Sequence, residues 1–222
     1  MEYYLFLAVT LLITFGAQAY LNSTYKRYEK MLNQKGLTGC DVARRILDYN
    51  SMKDVEIQKV NGFLSDHYDP KNKVVRLSDS IYQDASIAAI SVAAHECGHA
   101  IQDHEGYSFL RIRSMIIPLV NFASMAGYIA ILIGVFAGIT GFIWLGILFE
   151  AVILLFQLVT LPVEFNASRR GLKQLKELDL MAESEANRCG SMLRAAALTY
   201  VASVATSVLE ILRLVLMARR RD

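Results

Sequence analysis

Apolar residues along this chain fall into four long blocks separated by charged stretches, instead of alternating with polar ones throughout. Tyr3 to Leu21 carries no charge and comes close to the roughly 20 residues that cross a hydrocarbon core, so it predicts a first spanning helix. Only Met1 and Glu2 precede it, and no small-residue cleavage site follows, which favours an anchor over a cleaved signal peptide. Met115 to Ala137 and Phe142 to Val163 predict a membrane hairpin turning on Gly138-Ile139-Thr140-Gly141, with one acid, Glu150, inside its second arm. Such an acid is expected to be protonated or to face the bundle. The fourth block, Ala195 to Ala218, is interrupted by Glu210 and Arg213, and Thr199, Ser203, Thr206, Ser207 and Glu210 recur at three-to-four spacing. That stripe predicts an amphipathic C-terminal helix.

Charge then sets the orientation. Residues 22–113 are rich in Lys and Arg, Arg111 and Arg113 stand just before the second block, and Arg169, Arg170 and Lys173 follow the third, while the hairpin turn has no charge. By the positive-inside rule the N-terminus lies outside and both charged segments lie in the cytoplasm. A crossing by the fourth block would carry Arg219, Arg220 and Arg221 outside, so three crossings with a docked C-terminal helix are expected, and four as the alternative.

The polar segments are shorter elements. Thr38 can cap a helix whose Val42, Ala43, Ile46 and Leu47 share one face. Val55 to Val60 and Val74 to Leu77 predict strands of a small β-ribbon around the turn-forming stretch Asp66 to Asn72. From Ser80 or Asp84 to Gln102 the residues predict one helix.

Composition excludes some functions. Over half of the 222 residues are hydrophobic, the net charge is only +2, and no basic stretch is interleaved with aromatics, so no nucleic-acid partner is expected. Cys40, Cys97 and Cys189 form no CxxC pair and fit reduced, buried thiols.

The chemistry sits on the predicted helix, in His95-Glu96-Cys97-Gly98-His99, an HExxH pattern. Histidines four apart project from one helix face, so both rings reach a single Zn²⁺. The glutamate between them can take a proton from the attacking water and pass it to the leaving amine. Cys97 points to another face. Two of the chain's four histidines fall in this pattern, and as plain core residues they would leave Glu96 buried at high cost. A catalytic zinc takes three protein ligands. His104 has the wrong spacing for a metzincin third ligand. Glu164, just after Pro162 where the hairpin returns to the motif's side of the membrane, is the better candidate.

At Ala93-Ala94-His95-Glu96-Cys97-Gly98-His99-Ala100-Ile101-Gln102, His67-Tyr68-Asp69-Pro70 and Leu161-Pro162-Val163-Glu164-Phe165 the chain resembles the bacterial YugP-type neutral zinc metallopeptidases over nearly its whole length. More distantly it is similar to the HtpX and CAAX-prenyl-protease group, where a membrane hairpin also separates HExxH from a glutamate ligand that opens an ExxxD motif. Here Ser168 stands where that aspartate would be. The resemblance implies peptide-bond hydrolysis near the membrane. It also implies an edge strand that holds extended substrate, for which Val74 to Leu77 is the candidate, and an oxyanion donor, for which His67 is preferred over Tyr68 and Tyr107.

The expected protein is thus a mostly α membrane protein with a zincin-like HExxH core and a small β-ribbon. Its segments are an anchor over 1–22, a cytoplasmic catalytic segment over 23–113, a hairpin over 114–163, and a third-ligand segment with C-terminal helix over 164–222. The expected function is a multi-pass cell-membrane zinc endopeptidase working at the cytoplasmic face. His95, His99 and Glu164 hold Zn²⁺, and Glu96 and His67 are catalytic. Its partners are the lipid bilayer, peptide or membrane-protein substrates, and membrane-protein partners or further copies of itself. A zinc-holding scaffold without hydrolysis is the alternative. Cutting within the bilayer is disfavoured, since the motif helix precedes the second block and carries Asp79, Asp84 and Asp103 near its ends.

Overall fold

The computed structural model describes residues 2–221, with side chains from residue 5 onward, so Met1 and Asp222, the outer ends of the expected anchor and C-terminal segment, lie outside the described residues. The backbone forms α1 (Glu2–Glu29), α2 (Gly39–Tyr49), β1 (Glu56–Val60), β2 (His67–Asp69), β3 (Val74–Ser78), α3 (Asp79–Gln83), α4 (Ile87–His104), α5 (Ser108–Phe136), α6 (Thr140–Glu177) and α7 (Ala186–Arg219). These gather into two compact units. One holds residues 19–110 and 163–197, the other residues 1–18, 111–162 and 198–222.

The first unit has the core expected of an amphipathic α2. Thr38 Oγ1 accepts from the Asp41 amide while Asp41 accepts from the Thr38 amide, a reciprocal box that starts the helix. Val42, Ala43, Ile46 and Leu47 then point inward and pack with Leu77, Ile81, Ile87, Ile90, Leu175 and Met192. The sheet is three-stranded in the order β1-β3-β2, with β1 parallel and β2 antiparallel to β3. Two expectations change here. The stretch expected to be only a turn contains β2, which folds back onto β3 with His67 opposite Arg76 and Asp69 opposite Val74. Val74 to Leu77 is therefore in the central strand, largely buried and paired on both sides from Val74 to Arg76, so it is not the open edge strand expected for a substrate.

The expected single helix from Ser80 or Asp84 is also two helices. Asp84 is extended at φ −81, ψ 145, and Ser86 caps α4 by accepting from the Ala89 amide. The break lets the chain pair with the segment after α1: Asn33 N–H donates to the Ala85 carbonyl and Ile87 N–H to that of Met31. Backbone pairing outside the helix outweighs local helix propensity at this point.

In the second unit α5 and α6 form the hairpin, packed through Ala123, Gly127, Ala130 and Gly134, small residues that let helices approach where lipid supplies no hydrophobic drive. All four expected blocks are helices long and apolar enough to cross a membrane. The last turns of α7 reach the hairpin's turn end: Leu214 and Ala218 pack with Ile143, Ile131 and Ile147, and Arg221 Nη1 donates to the Gly134 and Val135 carbonyls. A helix that runs to the turn is not one lying flat on the surface, so α7 makes the fourth candidate span. Arg221 satisfies carbonyls left over at the C-terminal end of α5. Glu150 faces Ser207 and Glu210 of α7, the bundle-facing alternative for that acid.

Candidate metal centre

The metal-ligating face of α4 follows from its buried length. Ala88, Ala89, Ala93, Ala94 and Ala100 keep its girth small, and Cys97 on the opposite side is fully buried with Sγ directed at the Ala43 carbonyl, 3.7 Å away. Burial pushes the Cys97 thiol well above its ordinary range, so it is a neutral core group. His95 and His99 share the other face, their ring centroids 4.8 Å apart and nearly perpendicular.

The third side chain arrives on α6, which continues unbroken through Pro162. Its approach to α4 is unusually close because each helix presents a glycine to the other. A Cβ on Gly98 would lie 2.3 Å from the Ala167 carbonyl oxygen, and one on Gly171 would lie 2.5 Å from that of Ala94. Backbone thus rests on backbone on both sides of the histidines, and Glu164, 2% exposed, meets them: Oε2 is 3.3 Å from His95 Nε2 and 3.5 Å from His99 Nε2.

These three side chains each offer a ligand atom within 4.8 Å of the other two. A tetrahedral Zn²⁺ with bonds of about 2.0–2.1 Å has neighbouring ligands about 3.3 Å apart, so the two distances to Glu164 fit one ion between the groups. The hydrogen bonds behind the rings agree. Gln102 Nε2 donates to the Val163 carbonyl and to Asn166 Oδ1, which turns Gln102 Oε1 toward His99 Nδ1 at 3.0 Å. That assigns the N–H of neutral His99 to Nδ1 and leaves the Nε2 lone pair for a metal. His95 Nδ1 lies 3.1 Å from Ser168 Oγ, so the serine in place of the ExxxD aspartate still fixes the ring. Burial by itself would lower the pKa of His99. The hydrogen bond and charge of Glu164, with the charge of Glu96, outweigh it and raise the value.

Glu96 is 7% exposed, and among the described residues no hydrogen bond takes its carboxylate. His67 lies apart from this cluster, exposed on β2, with Nδ1 2.8 Å from the Ser65 carbonyl and Nε2 3.4 Å from Arg76 Nη1. Tyr68 gives its hydroxyl to Asp103 at 2.9 Å. Sequence reasoning missed Gln102, whose place three residues after His99, one helical turn on, was the available signal.

A family model described as "Putative neutral zinc metallopeptidase" matches residues 3–219. Over 215 residues the chain is 44% identical to a Bacillus subtilis (strain 168) protein named "Putative membrane protease YugP", covering 96% of each. No solved structure matches the chain.

Proposed function

The chain belongs to the neutral zinc metallopeptidase family, and from that premise we propose that it is a zinc-dependent endopeptidase hydrolysing peptide bonds of protein substrates at the cytoplasmic membrane face. The observation that carries the reading is the meeting of His95 Nε2, His99 Nε2 and Glu164 Oε2 from two helices, beside a largely buried Glu96 that no donor among the described residues serves.

His95, His99 and Glu164 would hold the ion, which when bound supplies Lewis-acid polarisation of the scissile carbonyl and acidifies water. Ser168 and Gln102 keep the imidazoles turned with Nε2 inward. Glu96 accepts the proton of the attacking water and hands it to the leaving amine as the C–N bond breaks, ending where it began. His67 can serve the oxyanion only after exchanging its Ser65 or Arg76 partner, and His67→Ala measures that contribution. An extended substrate has β1 or β2 as a free sheet edge, and β2 also packs on α4.

The test compares bound zinc and cleavage of casein or a membrane-protein substrate by the wild type, Glu96→Gln and Glu164→Ala. Glu96→Gln should keep zinc and lose cleavage, while Glu164→Ala should lose both. Undiminished cleavage by Glu96→Gln would refute the general-base role, and undiminished zinc in Glu164→Ala would refute the third ligand.

A further inference from the structure

On the far side of the α4–α6 crossing a polar cavity of about 570 Å³ opens between the end of α2, the end of α4 and the cytoplasmic half of α6, its lining including Tyr49, Arg169, Arg170, Lys173 and Gln174. Two of its three cations are matched by lining acids. Arg170 Nη1 pairs with Glu105 at 2.7 Å, and Lys173 Nζ pairs loosely with Glu177 at 3.6 Å with both side chains largely exposed. Among the described residues Arg169 has no such partner, so the lining as described keeps one net positive charge.

A second observation concerns Gln174, which is only 8% exposed. Its Oε1 accepts from Asn50 Nδ2 at 3.0 Å, and this orients the amide so that Nε2 is the free end. Among the described residues nothing accepts from that nitrogen. An open N–H donor on a largely buried side chain, one uncompensated guanidinium and one weakly held ammonium make a site for an anionic oxygen ligand.

The position along α6 selects the source. Arg169 is six residues beyond Val163, where the apolar run ends, a rise of about 9 Å, and helical side chains slant back toward the N-terminus, here toward the bilayer. That sets Arg169 at the headgroup layer, with Lys173 and Gln174 about one turn farther out, about 15 Å past Val163. We propose that this cavity binds the phosphate of an anionic phospholipid through Arg169, Lys173 and the Gln174 amide. The site also borders the metal centre through hydrogen bonds. Arg170 Nε donates to Asn166 Oδ1 at 2.6 Å, and Asn166 accepts in turn from Gln102, the residue that orients His99.

The test uses the full chain in nanodiscs of phosphatidylcholine alone or mixed with phosphatidylglycerol, reading the Tm and the lipid retained by native mass spectrometry. Phosphatidylglycerol should raise the wild-type Tm and be retained. Arg169→Gln/Lys173→Gln should melt as the wild type does in phosphatidylcholine yet lose the rise, with retention about fivefold weaker per cation removed. Lys26→Gln/Lys30→Gln, altering cations near the end of α1, should keep the full response. Equal loss in both double variants, no phosphatidylglycerol effect at all, or an equal rise with inorganic phosphate in detergent would each overturn the proposal. None of these readouts depends on peptidase activity.

Discussion

Replacing Gly98 by alanine puts a methyl carbon 2.3 Å from the Ala167 carbonyl oxygen, with that residue's carbonyl carbon and Cα at 2.9 and 3.1 Å. All three are backbone atoms, so no side-chain rotation relieves the overlap. Ordinary contact begins near 3.4 Å, and α6 must retreat from α4 by about 1 Å to reach it. Overpacking of this kind costs about 1–3 kcal/mol of stability. The larger consequence is at the metal. Glu164 lies three residues before Ala167 on the same helix, and its 3.3 and 3.5 Å distances to the histidines would open by a similar amount. Metal–ligand bonds tolerate only about 0.2 Å. Zinc affinity should therefore fall about 100-fold or more, beyond the 10-to-100-fold typical of losing a hydrogen bond behind a ligand. A chromophoric chelator competition on purified protein measures this, and thermal melting of the zinc-free form reports the packing cost separately. Gly16→Ala, where an added Cβ meets nothing within 4 Å, is the control and should be neutral or slightly stabilising. Gly171→Ala pushes the same helices apart at Ala94, so Gly98→Ala/Gly171→Ala should cost less than the sum of its singles. Wild-type zinc affinity in Gly98→Ala, or strict additivity in the double variant, would refute the idea that this close crossing sets the ligand geometry.

Gln102→Leu removes the acceptor behind His99 and takes its side-chain donor from the Val163 carbonyl; zinc affinity should drop about 10- to 100-fold, read by the same competition. Ser168→Ala should cost less, about tenfold, because it removes a neutral hydroxyl from His95. The pH dependence has opposite signs with and without metal. Because the His99 pKa is raised, its protonated pairing with Glu164 stabilises the zinc-free protein fully below the ordinary value of about 6.5 and is lost as pH rises through the raised one. Zinc needs bare imidazoles, so its stabilisation grows over the same interval. Melting temperatures from about pH 6 to 8.5 should fall for chelator-treated protein and hold or rise for zinc-loaded protein; parallel curves would count against the pairing. Finally, if α7 crosses the membrane, a reporter fused after Arg221 should be active on the side opposite the catalytic unit, and Arg221→Ala should lower the Tm by removing the donor to Gly134 and Val135; activity on the catalytic side would restore the docked helix.

Local pattern alone determined much of this protein. Uninterrupted apolar runs of spanning length can satisfy their backbone in lipid only as helices, so the apolar stretches of α1, α5 and α6 were legible, whereas their polar continuations to Glu29, back to Ser108 and on to Glu177 were not. So was the motif, because spacing on one helix dictates that His95 and His99 share a face and that Cys97 does not. Glu164 could be inferred from an out-and-back hairpin, a topological argument that carries no distance. Tertiary structure decided what depends on contacts between distant segments. Gly98 against Ala167 and Gly171 against Ala94 set how near the acid comes to the rings, and no periodicity encodes a crossing of two helices. Gln102 acquires its role only because Val163 and Asn166 take its amide from the other helix. The break before Ile87 and the short β2 arise from backbone pairing with residues elsewhere in the chain, which local propensity does not contain. The course of α7 depends on distant contacts in the same way: the charge rule counts Arg219, Arg220 and Arg221 only as charges and favours three crossings over four, whereas the fold gives Arg221 the carbonyls at the end of α5, and the reporter fusion decides between the two.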